Sequence, residues 1–177
     1  MDRQVVKKKL DDYIHTRLSQ EPSSIDPSPE QLQTLIDLEG SGPLHFVNLL
    51  KFKDRADYPD GHELAGQSLS GHAAYAKYGR VALEHIMRRG GRIVSATTVN
   101  FQLIGPNQDW DEVATMEYQT ADAFLDMITD SDYQSALVHR DAGLLRTEIF
   151  VTRPLIKNPV GRFKFNIFKL IRRIKGS

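Results

Sequence analysis

Residues 44–52 read LHFVNLLKF, and the reading of these nine positions decides the fold. Seven of them are aliphatic, aromatic, β-branched or His, and a turn-rich segment follows at once. A run this short with such flanks reads as a buried central strand and not as a helix. Asn48 is the one uncharged amide inside it.

A chain of 177 residues, 40% hydrophobic and 26% charged, has room for one domain with a real core plus appendages. It has no apolar run approaching the roughly 18 residues of a membrane span. The N-terminus, MDRQVVKKKLDD, has no apolar stretch behind its charges and does not resemble a secretory signal. The absence of cysteine excludes disulfides, a thiolate nucleophile and a thiolate metal site. A cytoplasmic location is expected. The net charge is formally zero, yet from Arg153 onward there are eight Lys/Arg and no acid, leaving 15 basic against 23 acidic residues before it. The tail is therefore a separate electrostatic object.

Upstream of the strand, Val6, Leu10, Tyr13, Ile14 and Leu18 share one face of a helix over residues 2–18. SQEPSSIDPSP reads as a linker. Ser28, Pro29 and Gln31 form a helix start with a capping box, and this helix turns Leu32, Leu35 and Ile36 inward and stops at Gly40. Downstream, residues 53–70 make a connection much longer than the usual 4–6 or so. Its Asp57, Asp60, His62 and Glu63, with His72, match no established ligand spacing, and no metal is expected.

Ser70 caps a helix to about Arg89 with Tyr75, Tyr78, Gly79, Ala82 and Ile86 on one stripe. Gly90-Gly91 turns the chain into a long strand through RIVSATTVNFQLIG, with Ile93, Thr97, Val99, Phe101 and Leu103 on one side. WDEVATMEYQ returns. Thr120 caps a helix burying Phe124, Met127 and Ile128, and Ser131 with Gln134 is expected to restart it as a second capping box. Tyr133, Ala136, Leu137, Arg140 and Leu144 continue the stripe, and LLRTEIFVT is the fourth strand.

The order over residues 44–153 is β-α-β-β-α-β. That is an α+β, ferredoxin-like domain with a four-stranded antiparallel sheet, flanked by N-terminal helices and linker at 1–43 and a basic C-terminal tail at 154–177. Both helices on one face leave the other face open, and a second copy is its natural cover. In series, HFVNLLKF, DYPDG, YAKYG, RRGGRIV, LIGPNQDWDEVATMEY and AFLDMITDSDYQSALVHRDAGL resemble the domain-of-unknown-function 1330 family of the dimeric α+β barrel superfamily, over roughly residues 44–151. The resemblance implies a ferredoxin-like subunit paired into a barrel. It carries over no catalytic residues, because the family has none established, and the superfamily spans cofactor-free monooxygenases, haem enzymes, lactone isomerases and plain binding proteins, so that fold alone decides little.

Arg140 is the most informative candidate. It falls on a packing stripe, where a guanidinium must find a partner, and Glu117 and Glu148 on the sheet are the expected ones unless it clamps a ligand anion. Asn48, Tyr75, Tyr78 and Trp110 are the other polar-tipped groups that could line a cavity between sheet and helices. His85 and His139 have no orienting carboxylate by local spacing, and no nucleophile-base-orienter set is legible. No cofactor is expected.

Two function classes follow. The favoured one is a small-molecule-binding homodimer, with cofactor-independent monooxygenase- or isomerase-like chemistry on a small oxygenated or aromatic compound as its catalytic form. The alternative is a non-catalytic interaction or membrane-surface module working through the appended helices. The tail GRFKFNIFKLIRRIK phases as a basic amphipathic helix suited to an anionic membrane surface, which would add peripheral membrane contact to a cytoplasmic location. Half of the eight basic residues from Arg153 onward would contribute roughly 4 kcal/mol there. A nucleic-acid partner is not expected from an acidic globular part.

Overall fold

The computed structural model describes residues 3–18, 25–38, 42–106 and 108–154. The basic tail helix lies outside them, and so does Gly40, but the helix expected to stop at Gly40 already ends at Ile36 with Asp37 as its C-cap. The chain begins with α1 (Arg3–Tyr13), which runs into a π-helical turn (Ile14–Leu18), and α2 (Pro29–Ile36) follows. Then come β1 (Leu44–Phe52), α3 (Gly71–Arg88), β2 (Arg92–Thr98), β3 (Glu112–Tyr118), α4 (Ala121–Ile128), α5 (Ser131–Gly143) and β4 (Leu144–Thr152). The result is an α+β fold with five α-helices among the described residues and an open four-stranded sheet of order β2-β3-β1-β4, antiparallel at each pairing.

β1 is central, as its composition demanded. Leu44, Phe46, Leu50 and Phe52 are buried against the helices, and Phe46 packs its ring against Tyr118 and Phe124 at 4.7 and 4.6 Å. The intervening positions, His45, Val47, Leu49 and Lys51, lie on the open face opposite Glu117, Thr115 and Val113 of β3 and Thr152, Phe150, Glu148 and Arg146 of β4. α1 and α2 belong to the same core, since Leu10, Tyr13, Leu32 and Leu35 are buried in one cluster with Phe46, Ile86, Leu125 and Leu137. Ser28 makes the expected capping box with Gln31.

Two glycines let the elements around the site close up. The N-terminus of α3 and the C-terminus of α5 cross where a Cβ on Gly71 would stand 2.5 Å from the Gly143 carbonyl and a Cβ on Gly143 would stand 2.4 Å from that of Gly71. Only glycines fit there. Lys53 N–H donates to the Gly143 carbonyl at 2.9 Å, fixing the end of α5 to the end of β1.

Two expectations are corrected. β2 ends at Thr98 and does not continue to Gly105: Val99 N–H still donates to the Asp111 carbonyl, but the Gln102 amide then takes the Ile104 carbonyl and the Gln108 N–H, groups that a strand ladder would use. Phe101, Leu103 and Ile104 consequently project into solvent, 73%, 80% and 87% exposed. The restart of the second helical stretch is capped by Asp130, whose carboxylate accepts from Asp132 N–H at 3.1 Å, and not by a Ser131–Gln134 box. An ionised acceptor at a helix N-terminus outcompetes the hydroxyl one residue on.

Candidate functional site

α5 carries its Tyr133–Ala136–Leu137–Arg140 stripe inward, so the Arg140 guanidinium is brought under the N-terminal segment with only 11% of its side chain exposed. Burying a guanidinium demands carboxylate partners. The expected partners, Glu117 and Glu148, are not used: Glu117 is engaged by Arg92 and His45 on the open face, and Glu148 alternates onto that same face. Arg140 instead donates through Nη2 to Asp26 at 2.5 Å and through Nε and Nη2 to Asp141 at 3.0 and 2.8 Å. Arg17, from the π-helical turn, closes a ring of charges, with its Nη2 2.5 Å from Asp141 and 3.1 Å from Asp26. The Asp26 carboxylate is thus held between two guanidiniums, one on each oxygen, with its side chain 4% exposed.

Aromatic hydroxyls surround this ring. Tyr78 Oη and Tyr133 Oη lie 2.6 Å apart, and Tyr75 packs on Tyr78 at 5.3 Å between ring centres. Burial pushes the Tyr13 hydroxyl up to about 12, and the Asp26 charge adds to the effect. Burial likewise raises Tyr75, Tyr78 and Tyr133, with Arg140 opposing it in each case. These phenols remain neutral hydrogen-bonding groups across the physiological range. For Arg140, burial would lower the pKa, and Asp141 with Asp26 more than offset it, so the guanidinium stays charged. Arg17 Nε is a buried nitrogen with no hydrogen-bond partner among the described residues.

Three of the sequence candidates, Tyr75, Tyr78 and Arg140, come together in this layer. Asn48 lies on the helix-facing side of β1 but spends its amide on the Phe46 and Ala114 carbonyls at 2.8 and 3.1 Å. Trp110 does not join them: its ring lies 4.2 Å under the Arg146 guanidinium, and Arg146 pairs with Lys51 of the open face. Sequence reasoning missed Tyr13, Arg17 and Asp26, although the IDP triplet inside the linker placed one apolar and one acidic side chain together in a segment otherwise short of both.

The two histidines find partners, one of them local and the rest distant in sequence. His85, 2% exposed, accepts from Arg89 Nη1 at 3.1 Å, and Arg89 reaches on to Asp126 and Asp130 at 2.7 and 2.9 Å. His85, Asp130 and Asp132 lie close enough together to suggest a cation site. The Arg89 guanidinium already holds its anionic side, which disfavours a metal. His139 Nδ1 shares a 2.8 Å hydrogen bond with Tyr58 Oη, away from the Arg140 stripe.

No curated protein matches the chain. Among solved structures, a protein of unknown function from Rhodopseudomonas palustris is 34% identical, with a TM-score of 0.67, over 75% of this chain and 97% of that one. A structure of the same protein in methylated form is 36% identical, with a TM-score of 0.67, over 76% of this chain and 96% of that one. The family profile described as Domain of unknown function (DUF1330) matches residues 60–153, more than half of the chain and beginning after β1. The chain therefore belongs to the DUF1330 family.

Proposed function

We propose that the protein is a homodimeric binding module for a small oxygenated or aromatic compound, built on a ferredoxin-like subunit, with its ligand contacts drawn from the Arg140 layer. The observation that carries this reading is Arg140 itself. It is a buried guanidinium among neutral tyrosines, inside the family-matched region, and one of its two counter-charges, Asp26, comes from outside that region while the other, Asp141, lies within it. Such a site recognises by charge and by hydrogen bonds from Tyr78 and Tyr133. Binding, and not a covalent step, is what these groups do well, because tyrosines held neutral are donors and poor bases.

The strand order β4-β1-β3-β2 supports the ferredoxin-like reading. Dimerisation is supported by Phe150, 53% exposed on the open face, and by the protruding Phe101, Leu103 and Ile104. The competing reading, an interaction or membrane-surface module, is weakened because α1 and α2 spend their apolar faces on the core. It rests on the tail, beyond the described residues. Among those that are described, no helix is long and apolar enough to cross a membrane.

Native mass spectrometry of the full-length protein, with small aromatic and oxygenated acids at millimolar concentration, tests the proposal. The expected result is a dimer of the 20.1 kDa chain carrying adducts that Arg140→Gln abolishes. A monomer, or adducts indifferent to that substitution, would overturn it.

A further inference from the structure

Resting on the binding site proposed above, we infer that Ile25–Asp26 is a built-in occupant of that site, and that the ligand it stands in for is a small monocarboxylate with an apolar body. Two neighbouring side chains carry the inference, one for each half of such a molecule. The Asp26 carboxylate has one oxygen on Arg140 at 2.5 Å and the other on Arg17 at 3.1 Å. Ile25 packs its side chain on the cluster of Leu50, Phe52 and Leu144 beside Tyr75. Carboxylate and hydrocarbon are therefore seated side by side, the charge between two guanidiniums and the apolar group against the end of the sheet.

The charge count points the same way. Arg17 and Arg140 face Asp26 and Asp141, so the ring is neutral with Asp26 in place and carries one uncompensated positive charge without it. A buried excess charge of that kind draws an anion. An external carboxylate entering where Asp26 sits restores neutrality. A sulfate- or phosphate-like dianion would leave the ring negative, which selects a monoanion. The occupant belongs to the chain but not to the family-matched region, since Ile25 and Asp26 precede residue 60 while Tyr78, Tyr133, Arg140 and Asp141 follow it. An external acid therefore binds only by displacing Ile25–Asp26.

Titration calorimetry with benzoate on the full-length protein and on Asp26→Ala tests this. Acetate (charge without body) and benzyl alcohol (body without charge) serve as controls. Benzoate is expected to bind Asp26→Ala at least about tenfold tighter than the unsubstituted protein, as for a site open in about one molecule in ten. That binding should vanish in Asp26→Ala combined with Arg140→Gln, and both controls should bind more weakly than benzoate. If Asp26→Ala does not fold, Ile25→Ala keeps every charge and vacates the apolar half, and it too should bind benzoate more tightly than the parent. Equal benzoate affinity for the parent and the folded variant would overturn the occupant while leaving the binding site standing. Binding of acetate or benzyl alcohol as tight as that of benzoate would overturn the ligand class. No benzoate binding by any folded variant would overturn both the occupant and the site.

Discussion

Arg140 and Arg92 each gather a carboxylate from a distant part of the chain, and the two centres part company in what surrounds them. Arg140 lies between α5 and the N-terminal segment, with its side chain 11% exposed and its partner Asp26 4% exposed. Arg92 sits on the open sheet face at β2, half exposed, with Nε and Nη2 on the two oxygens of Glu117 at 3.0 and 2.9 Å and His45 on the same carboxylate. Its geometry is the better of the two, a fork on a carboxylate. Its energetic weight is the smaller, because Arg92 is half exposed and its charge is screened by water, while the buried Glu117 keeps His45 as a partner if Arg92 is lost. Arg140 and Asp26 have little water to take a lost partner's place, so each depends on the other, and a segment from outside the family-matched region is tied into the core to balance the charge. Burial of the arginine, more than geometry, separates the two charge pairs.

The widest gap between the centres should appear on truncation. Arg140→Ala leaves Asp26 and Asp141 facing Arg17 alone and is expected to cost about 3–5 kcal/mol, read from urea unfolding midpoints. A loss under 1 kcal/mol would put the Arg140 ring in the same class as the surface pair.

Alkaline unfolding sharpens the contrast from the side of the phenols. Tyr13 has its pKa raised from 10.0 to about 12 in the folded protein, so the neutral form is the one that folding favours. Its contribution is fully present below pH 10, where both folded and unfolded chains hold the proton. It is lost as pH rises toward 12, where only the unfolded chain has ionised. Two units correspond to about 2.7 kcal/mol at most, and Tyr13→Phe should flatten that part of the stability profile. A profile unchanged by Tyr13→Phe would show that the ring does not keep this hydroxyl from water.

Arg92→Ala should give the smallest effect, about 0.2–1 kcal/mol. Burial alone would raise the Glu117 carboxyl, and the hydrogen bonds from Arg92 and His45 more than offset it, holding it below its ordinary value. A carboxyl depressed in this way stabilises the fold above its unfolded pKa near 4.3, and that contribution disappears as pH falls through the folded value. The difference between parent and Arg92→Ala should therefore be present at pH 7 and gone in strong acid. A difference that persists in acid would assign the loss to packing of the arginine stem.

What the sequence disclosed and what it hid divide along the same line. β1, the Ser28 capping box and the Ser70 cap were legible because each is decided within a few residues. The burial of Arg140 was legible too, since its stripe is local to α5. Its partner was not: Asp26 lies 114 positions away, in a linker whose prolines and serines say only that no regular element forms there. Trp110 was placed with the wrong group because the face it serves is set by the register of β4 against β1, which no single segment specifies. The alternation of Phe101 and Leu103 read as a strand continuing in the sheet, whereas these side chains project past it. Apolar alternation reports a surface to be covered without saying whether the same chain covers it.

The most direct measurement is a crystal structure of full-length Asp26→Ala grown with benzoate. The expected density is a benzoate whose carboxylate lies between the Arg17 and Arg140 guanidiniums and whose ring faces the cluster of Leu50, Phe52 and Leu144. A structure in which Asp141 has swung to bridge both arginines and the space is closed, with benzoate absent or bound elsewhere, would contradict a ligand site at Arg140.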